Sequence, residues 1–504
     1  MKWLKLILLA VVIQTSIPAS AYDFEVDGIY YNIVSLSDLT AEITKGDTGY
    51  TFETFSIPET VTFNGRTLSI VKIGASAFSS CVKLSSITIP ESVTSIGEYA
   101  FYGCSSLTSV TIPESVTSIG TSAFYFCGKL TSITIPSSVT SIGSSAFDHC
   151  SGLKKVIVKD LAAWCGISFG NNASSNPLYY AKHLYSDEDN EITDLQIPDG
   201  VTRIGAYAFQ NCSSLTSVTI PQRVSIAGDA FSNCDNLDSI MIQGSIQSLS
   251  TLGAIVFYKC AKLNFVQISN NVDSIDNYVF DTNSSEYKEI IIDDCEKALY
   301  LGYTERVHPT YSSYYYGCFY SGSLEKVYLG RNLEFLDKSG KYGSDYYYEP
   351  FGAYNSKMKE LYIGDYVTSL DGLSLSNHKN LETLTIGKGL SEVPNLKNHS
   401  KLTSLTLNSE VPQAASEFTN AQYLNLNVYV PKGSLAAYQS ADVWKNFWNL
   451  QETVTADIGN AISNADTPKE VKRYDGMGRE MKGYHKGLNI IKMSDGTTKK
   501  VIIK

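Results

Sequence analysis

Between Leu84 and Val158 the apolar positions fall at a fixed period of 23 residues. Three successive segments read IPESVTSIGEYAFYGCSSLTSVT (89–111), IPESVTSIGTSAFYFCGKLTSIT (112–134) and IPSSVTSIGSSAFDHCSGLKKVI (135–157). Thr108–Ile112 alternates polar and apolar residues and is rich in β-branched ones, which predicts a short strand. Pro113 ends it, having no N–H for a further ladder bond. Val116–Ile119 is a second extended piece closed by a turn at Gly120, and Ser122–Phe126 is where a helical turn is expected. The buried set of one copy is Val93, Ile96, Ala100, Phe101, Leu107, Val110 and Ile112. So small a set cannot offset the backbone entropy of ordering the copy. The copies must therefore stack and cover one another.

The spacing Leu-x-x-Val/Ile-x-Ile/Val recurs at Leu107, Val110 and Ile112 and at Leu130, Ile133 and Ile135. This is the core spacing of a leucine-rich repeat. It predicts a mainly β fold, a right-handed leucine-rich-repeat solenoid with coils of about 23 residues and short helical turns. Ile89, Ile112 and Ile135 should form one buried ladder, and Phe101, Phe124 and Phe147 another. The period opens at Phe52-x-x-Phe55-x-Ile57, with a hairpin-like extension over Thr62–Ser69 that turns at Asn64-Gly65. Coils follow from Leu84, Leu107, Leu130 and Leu153. After an insertion at Lys159–Glu191 they resume at Ile192 and run through Leu215, Leu237, Leu263 and Tyr287. Longer insertions precede Leu324 and Met358, and the last clear coils start at Leu381 and Leu402.

The ends are built differently. Met1–Ala21 has the make-up of a secretory signal peptide: Lys2 and Lys5, the apolar run Leu6–Ile13, and the small-residue site Ala19-Ser20-Ala21. No later stretch is apolar enough to span a membrane. The expected organisation is a signal peptide (1–21), an N-terminal cap (22–51), the solenoid with its insertions and C-terminal cap (52–452), a linker (453–467) and a small β-rich C-terminal tail (468–504). In the C-terminal cap, Leu435, Tyr438, Val443, Trp444 and Phe447 supply an apolar face.

Charge and cysteine content narrow the function. The net charge is −11; the signal segment contributes +2 and the last 39 residues +5, so the body between them carries −18. An acidic body does not suit nucleic acid. Ten cysteines in an exported chain raise the question of disulfides. Seven of them (Cys81, Cys104, Cys127, Cys150, Cys212, Cys234 and Cys260) hold one repeat position. A ladder of identical positions points its side chains alike into the core, so these are expected to be free, buried thiols. No histidine lies in a catalytic or metal-ligating motif. His149 reads as surface decoration, Trp164 and Cys165 as the core of the insertion, and Asp187–Glu191 as a solvated acidic loop without the spacing of a calcium site. No catalytic residue, cofactor or metal is expected, and the chain is read as a non-enzyme.

The pattern IPxSVTSIGxxAFxxCxxLTSV, over roughly Ile57–Leu407, resembles the repeat of the BspA-like leucine-rich-repeat proteins found on the surfaces of Gram-negative anaerobes and some other microbes. LAAWCGISFG, NPLYYAKHLY and VYVPKGSLAAYQSADVWKNF are similar to further elements of such proteins. The resemblance implies an exported surface adhesin or binding protein with no catalytic residues. It implies a protein or glycan ligand, including host extracellular matrix. The tail, through Arg473-Tyr474-Asp475-Gly476, Gly487-Leu488-Asn489-Ile490-Ile491 and Lys500–Lys504, resembles a type IX secretion sorting domain. The alternative reading is a carbohydrate-active enzyme or an accessory glycan-binding subunit. A monomer, secreted or held at the cell surface or outer membrane, is expected.

For the site itself, a solenoid offers its strand face and the insertions that leave it. The most distinctive insertions hold Tyr314, Tyr315, Tyr316, Tyr346, Tyr347 and Tyr348. Consecutive tyrosines cannot all point inward on a strand, and tyrosine gives large contact area at small rotamer cost. These six are the candidate ligand-binding residues. The bland reading is that the insertions merely brace the irregular coils.

Overall fold

The structure, a computed structural model, describes residues 22–46, 49–244, 246–248, 256–275, 279–280, 287–301, 304–308, 311–316, 319, 323–335, 350–351, 357–370, 373, 375–453, 470–475, 487–493 and 498–503. The signal-peptide segment and nearly all of the expected linker lie outside these residues, as do Cys318 and Tyr346–Tyr348.

Parallel pairing at the repeat offset builds the molecule. Ile96, Ile119 and Ile142 are register partners in one sheet, and Ile133 pairs with Val156 in another. The two sheets run side by side along the stack, a short strand in each from every coil. The result is a β-solenoid of about 14 turns at the expected spacing. A third ladder crosses the turns: the N–H groups of Phe78, Phe101 and Phe124 donate to the carbonyls of Ala100, Ala123 and Ala146 in the next coil. Each coil thus finds backbone partners in its neighbours on three sides, which is how an irregular path stays satisfied in the absence of helices.

The predicted ladders are present. Ile89, Ile112 and Ile135 are buried, and the rings of Phe78, Phe101, Phe124 and Phe147 stack at 5.1–5.3 Å between centroids. Offset stacks of this kind add to the area they bury. Gly120 marks a close approach rather than a mere turn. A Cβ there would lie 2.6 Å from the backbone of Gly97 and Glu98 in the preceding coil.

One expectation fails. Ser122–Phe126 is not a helical turn: Ser122 and Phe126 both have positive φ, 52° and 61°, and so do Ser145 and His149 in the next coil. Two left-handed residues per coil bend the chain tightly enough to reach the next strand within a few residues. The helices lie elsewhere. Leu161–Gly166 and Leu178–Ala181 belong to the insertion, Asn420–Asn425 and Leu435–Ser440 to the C-terminal end.

The insertion replaces a coil. Its strand Leu184–Tyr185 ends the first sheet, and Asp194–Gln196 begins a new one of 11 strands. The core nevertheless continues across the break. Trp164 is buried and donates its indole N–H to the Ala208 carbonyl at 3.0 Å, while Asn176 Nδ2 reaches the carbonyls of Tyr207 and Ala208. At the start, Phe24–Val26, Ile29–Ser35 and Thr40–Thr44 form an antiparallel meander whose last strand pairs in parallel with Arg66–Ile73. The hairpin at Asn64-Gly65 forms with both residues at positive φ. At the far end, Tyr438, Trp444 and Phe447 are buried beneath the final parallel strand, Asn449–Glu452. The tail forms its own antiparallel sheet from Glu470–Asp475, Gly487–Met493 and Thr498–Ile503. No helix among the described residues is long and apolar enough to cross a membrane.

The repeated cysteines are buried and free, as expected, but they are more than small hydrophobes. Five of the seven thiols reach back to the carbonyl at the phenylalanine position of the preceding coil, among them Cys104 to Phe78 at 3.1 Å, Cys127 to Phe101 at 3.3 Å and Cys150 to Phe124 at 3.0 Å, while Cys212 pairs with the Ser214 hydroxyl. Cys234 and Cys260 do the same with Phe209 and Phe231. Towards the C-terminus the residue changes while the bond persists. His399, three residues before Leu402, is fully buried and its Nε2 donates to the Leu375 carbonyl at 2.8 Å. Gln422, one coil later, donates to the Leu396 carbonyl at 2.8 Å. A buried arginine serves the irregular coils: Arg331, with 0 % of its surface exposed, donates to the carbonyls of Ser269 and Val272, each at 2.7 Å.

Two predictions follow from this column of donors. Burial pushes the thiols of Cys104 and Cys150 up to about 12, so thiolate is scarce at neutral pH. A thiol reagent should spare the seven repeat cysteines in the folded protein and titrate all of them after unfolding without reductant. Three or more disulfides among them would overturn the assignment. The second concerns His399, whose pKa is lowered by burial in the fold, while the unfolded chain titrates near ~6.5. Below that pH the unfolded state binds the extra proton, so stability falls as pH drops from about 6.5 towards the lower native pKa. Hydrogen-exchange protection factors of the coils around Leu375–Leu426, corrected for the intrinsic rate at each pH, should fall between pH 7 and 5. His399→Gln, which keeps a donor as Gln422 does, should flatten that dependence.

Candidate binding site

The long sheet presents two outward columns, because alternate residues of each short strand leave the core. In one column Met241, Gln267, Ile291, Tyr328, Tyr362 and Thr385 are successive register partners. Towards the ends of the sheet the column holds Thr219, Thr406, Tyr429 and Gln451. Its middle is where two tyrosines are direct register partners. Tyr328 and Tyr362 stack with centroids 4.5 Å apart and an interplanar angle of 11°. Both are half-buried, leaving ring faces and edges open to solvent.

A carboxylate rim borders the pair. The Tyr328 hydroxyl donates to Asp294 Oδ2 at 2.8 Å, and Asn408 Nδ2 donates to the Tyr362 hydroxyl at 3.3 Å. Gln267 Nε2 donates to Asp293 Oδ1 at 3.0 Å, and the backbone N–H of Lys388 donates to Asp365. Burial, followed by the Asp294 contact, pushes the Tyr328 hydroxyl well above its ordinary range. Burial likewise raises Asp293. In the neighbouring column Lys326 Nζ lies 3.2 Å from Glu289 and 3.9 Å from Glu360, so its charge is balanced internally. The surface thus offers two locked aromatic rings with carboxylates beside them. It can take an apolar or flat group and the basic group attached to it, and it presents no activated nucleophile.

The six sequence candidates are placed only in part. Tyr314, Tyr315 and Tyr316 lie on the strand Tyr311–Tyr316, which pairs antiparallel with Thr304–His308; Tyr314 is opposite Arg306 and Tyr315 opposite Glu305. Tyr346, Tyr347 and Tyr348 lie outside the described residues. The coils that carry these two insertions are the ones that carry Tyr328 and Tyr362. Sequence reasoning missed those two tyrosines, although the signal was present: each sits in the outward slot of its strand, as Val-Tyr-Leu (327–329) and Leu-Tyr-Ile (361–363). The acidic loop is self-contained, with Asp187 accepting from the backbone and side chain of Asn190 and from the backbone of Asp189.

Comparison with known proteins places the repeat. The model of the BspA type leucine rich repeat region matches residues 50–175, 181–300 and 350–452. No curated protein matches the chain. Among solved structures, a leucine-rich repeat protein from Bacteroides ovatus ATCC 8483 is similar at 22% identity and a TM-score of 0.41, covering 86% of this chain and 99% of that one. A leucine rich cell surface protein from Faecalibacterium prausnitzii A2-165 aligns at 22% identity and a TM-score of 0.31, over 79% of this chain and 96% of its own. A leucine-rich repeat protein from Bacteroides capillosus ATCC 29799 is 35% identical, with a TM-score of 0.21, over 23% of this chain and 83% of its own. The repeat match spans more than half of the sequence, and the chain belongs to the BspA-type leucine-rich-repeat family.

Proposed function

We propose that this protein is an exported cell-surface binding protein that holds a protein ligand on the outward face of its long sheet, in an adhesive role. The observation that carries the reading is the stacked Tyr328–Tyr362 pair bordered by Asp293, Asp294 and Asp365. Rigid tyrosines give contact area without losing rotamer freedom on binding. The carboxylates, set in an acidic body, favour a partner with basic side chains and make its arrival salt-dependent. Export rests on the leader-like Met1–Ala21. The tyrosine-rich insertions at Tyr314–Tyr316 and Tyr346–Tyr348 are proposed as a second contact region of the same ligand. The tail beyond Asp466 is proposed as a sorting element for display.

The purified chain should capture a ligand from a panel of matrix proteins. The double change Tyr328→Ser and Tyr362→Ser should weaken that capture at least tenfold, about 1.4 kcal/mol, with unaltered melting. Equal affinity in the double variant defeats the sheet-face site. The change of Tyr314, Tyr315, Tyr346 and Tyr347 to Ser, measured on the same ligand, decides the part of the insertions. Deleting residues 466–504 should leave the melting of the solenoid intact and remove surface display in the native host. Unchanged display rejects the sorting role.

A further inference from the structure

A second aromatic surface lies on the turn side of the solenoid, away from the long sheet. Tyr102 and Tyr125, one coil apart, stack at 5.2 Å with planes 10° apart. Phe126 and His149, again one coil apart, stack at 4.4 Å. The two stacks stand nearly perpendicular, with angles of 85° between Phe126 and both tyrosines. The Phe126–His149 stack walls a concave corner that Tyr180 completes, while Tyr102 and Tyr125 pack edge-on against Phe126 outside its lining. Its floor is bare: Gly103 and Gly128 contribute no side chain, and Ser105 and Ser151 only small ones. The concavity holds about 460 Å³.

Polar groups close the corner. The Tyr180 hydroxyl, supplied by the insertion, donates to Asp148 Oδ1 at 2.9 Å and accepts from the His149 N–H at 3.0 Å. Asp148 also accepts from that N–H at 2.9 Å. Carboxylate and phenol are thereby fixed beside the rings.

Phe126 is the most informative residue. It is 44% exposed and sits at φ 61°, where the preceding coil has Gly103 and the one before that Ser80. A bulky residue in the left-handed region is strained, because its Cβ crowds the following carbonyl oxygen. The Phe126 ring offsets little of that strain through burial. Such backbone outliers cluster at binding surfaces.

We propose that this corner is a binding site for a neutral oligosaccharide, with a pyranose ring lying against Phe126 and His149 and beside the Tyr180 phenol. A pyranose has an apolar C–H face and a rim of hydroxyls. The first suits the negative face of an aromatic ring, and the second suits a carboxylate acceptor and a phenol held in place. The floor of glycine and serine leaves room for a ring but offers no deep apolar slot for a protein side chain. Charge selects the class: Asp148 and a body carrying −18 repel uronate or sulfated chains, leaving neutral glycans.

The experiment titrates the full chain with neutral hexasaccharides of β-1,4-linked glucose, α-1,4-linked glucose and N-acetylglucosamine, with heparin oligosaccharide as the acidic counter-probe. Calorimetry should give a dissociation constant in the millimolar range or tighter for at least one neutral probe and none for heparin. Phe126→Gly removes the ring while relieving the backbone, so it should weaken that binding tenfold or more and melt at the parent's temperature or above. Tyr180→Ala, which removes the phenol from the lining, should also weaken it. The proposal is overturned if no neutral probe binds at millimolar concentration, if heparin binds more tightly, or if Phe126→Gly binds as the parent does. It is overturned equally if Phe126→Gly abolishes binding of a protein ligand and of no sugar, since the corner would then be a protein contact. The sheet-face tyrosines are untouched by these variants, so the two sites fail or stand separately.

Discussion

The structure depends on one recurring bond, made in many coils from a buried side chain at the cysteine position to a main-chain carbonyl of the coil before it. A solenoid coil is too short to satisfy its own polar backbone. Strand residues pair sideways, but the turn must bring its carbonyls into the core, where an unmet acceptor costs ~1–3 kcal/mol. Cysteine meets the need because its thiol is a weak donor on a side chain small enough to stack at every turn. His399 and Gln422 meet it with stronger donors where the neighbouring column changes from phenylalanine to Leu375 and Leu396. The exchange follows from volume, since a smaller side chain at the accepting position leaves room for a larger donor. Gly120 expresses the same closeness from the other side, as coils drawn together this tightly leave no space for a Cβ.

Much of this was legible in the sequence because stacking makes each buried position report itself many times over. The phenylalanine and isoleucine ladders, the two strands per coil and the free thiols could all be read from residues recurring at one spacing. What recurrence hides is a change of residue at constant role. His378 and His399 occupy the cysteine position, three residues before Leu381 and Leu402, yet they read as scattered histidines because no chemistry links cysteine to histidine except the carbonyl each must reach. The failed helical turn at Ser122–Phe126 has a different origin. Serine, alanine and phenylalanine all tolerate a helix, and their left-handed geometry is imposed by where the next strand begins, a tertiary demand that local propensity does not carry.

The candidate sites were harder to read for a related reason. Function on a repeat scaffold lies in departures from the repeat, and these fall at outward positions where the pattern places no constraint. Twelve tyrosines crowd into 303–354 and stand out by composition, whereas Tyr328, although among them, and Tyr362 each occur singly inside an ordinary strand. Only the register brings them 4.5 Å apart. Tyr102 and Tyr125 are likewise 23 residues apart in sequence and in contact in space. A period of this length converts a distant pair into a stacked one, so outward residues need to be read down the columns rather than along the chain.

Exposed rings at left-handed positions separate a binding surface from decoration in such a protein. Ser80, Asn211 and Asn233 occupy the same left-handed turn position as Phe126 and His149. Asparagine suits this backbone because its short polar side chain can bond locally, and glycine, as at Gly103, suits it best. A sequence selected for stability alone would fill the column with these residues. Phenylalanine and histidine stand there only in the two adjacent coils that face Tyr180, and nowhere else in the column among the described residues. Lys259 takes the same geometry without a ring, so what sets this place apart is a pair of stacked rings at left-handed positions rather than the strain itself.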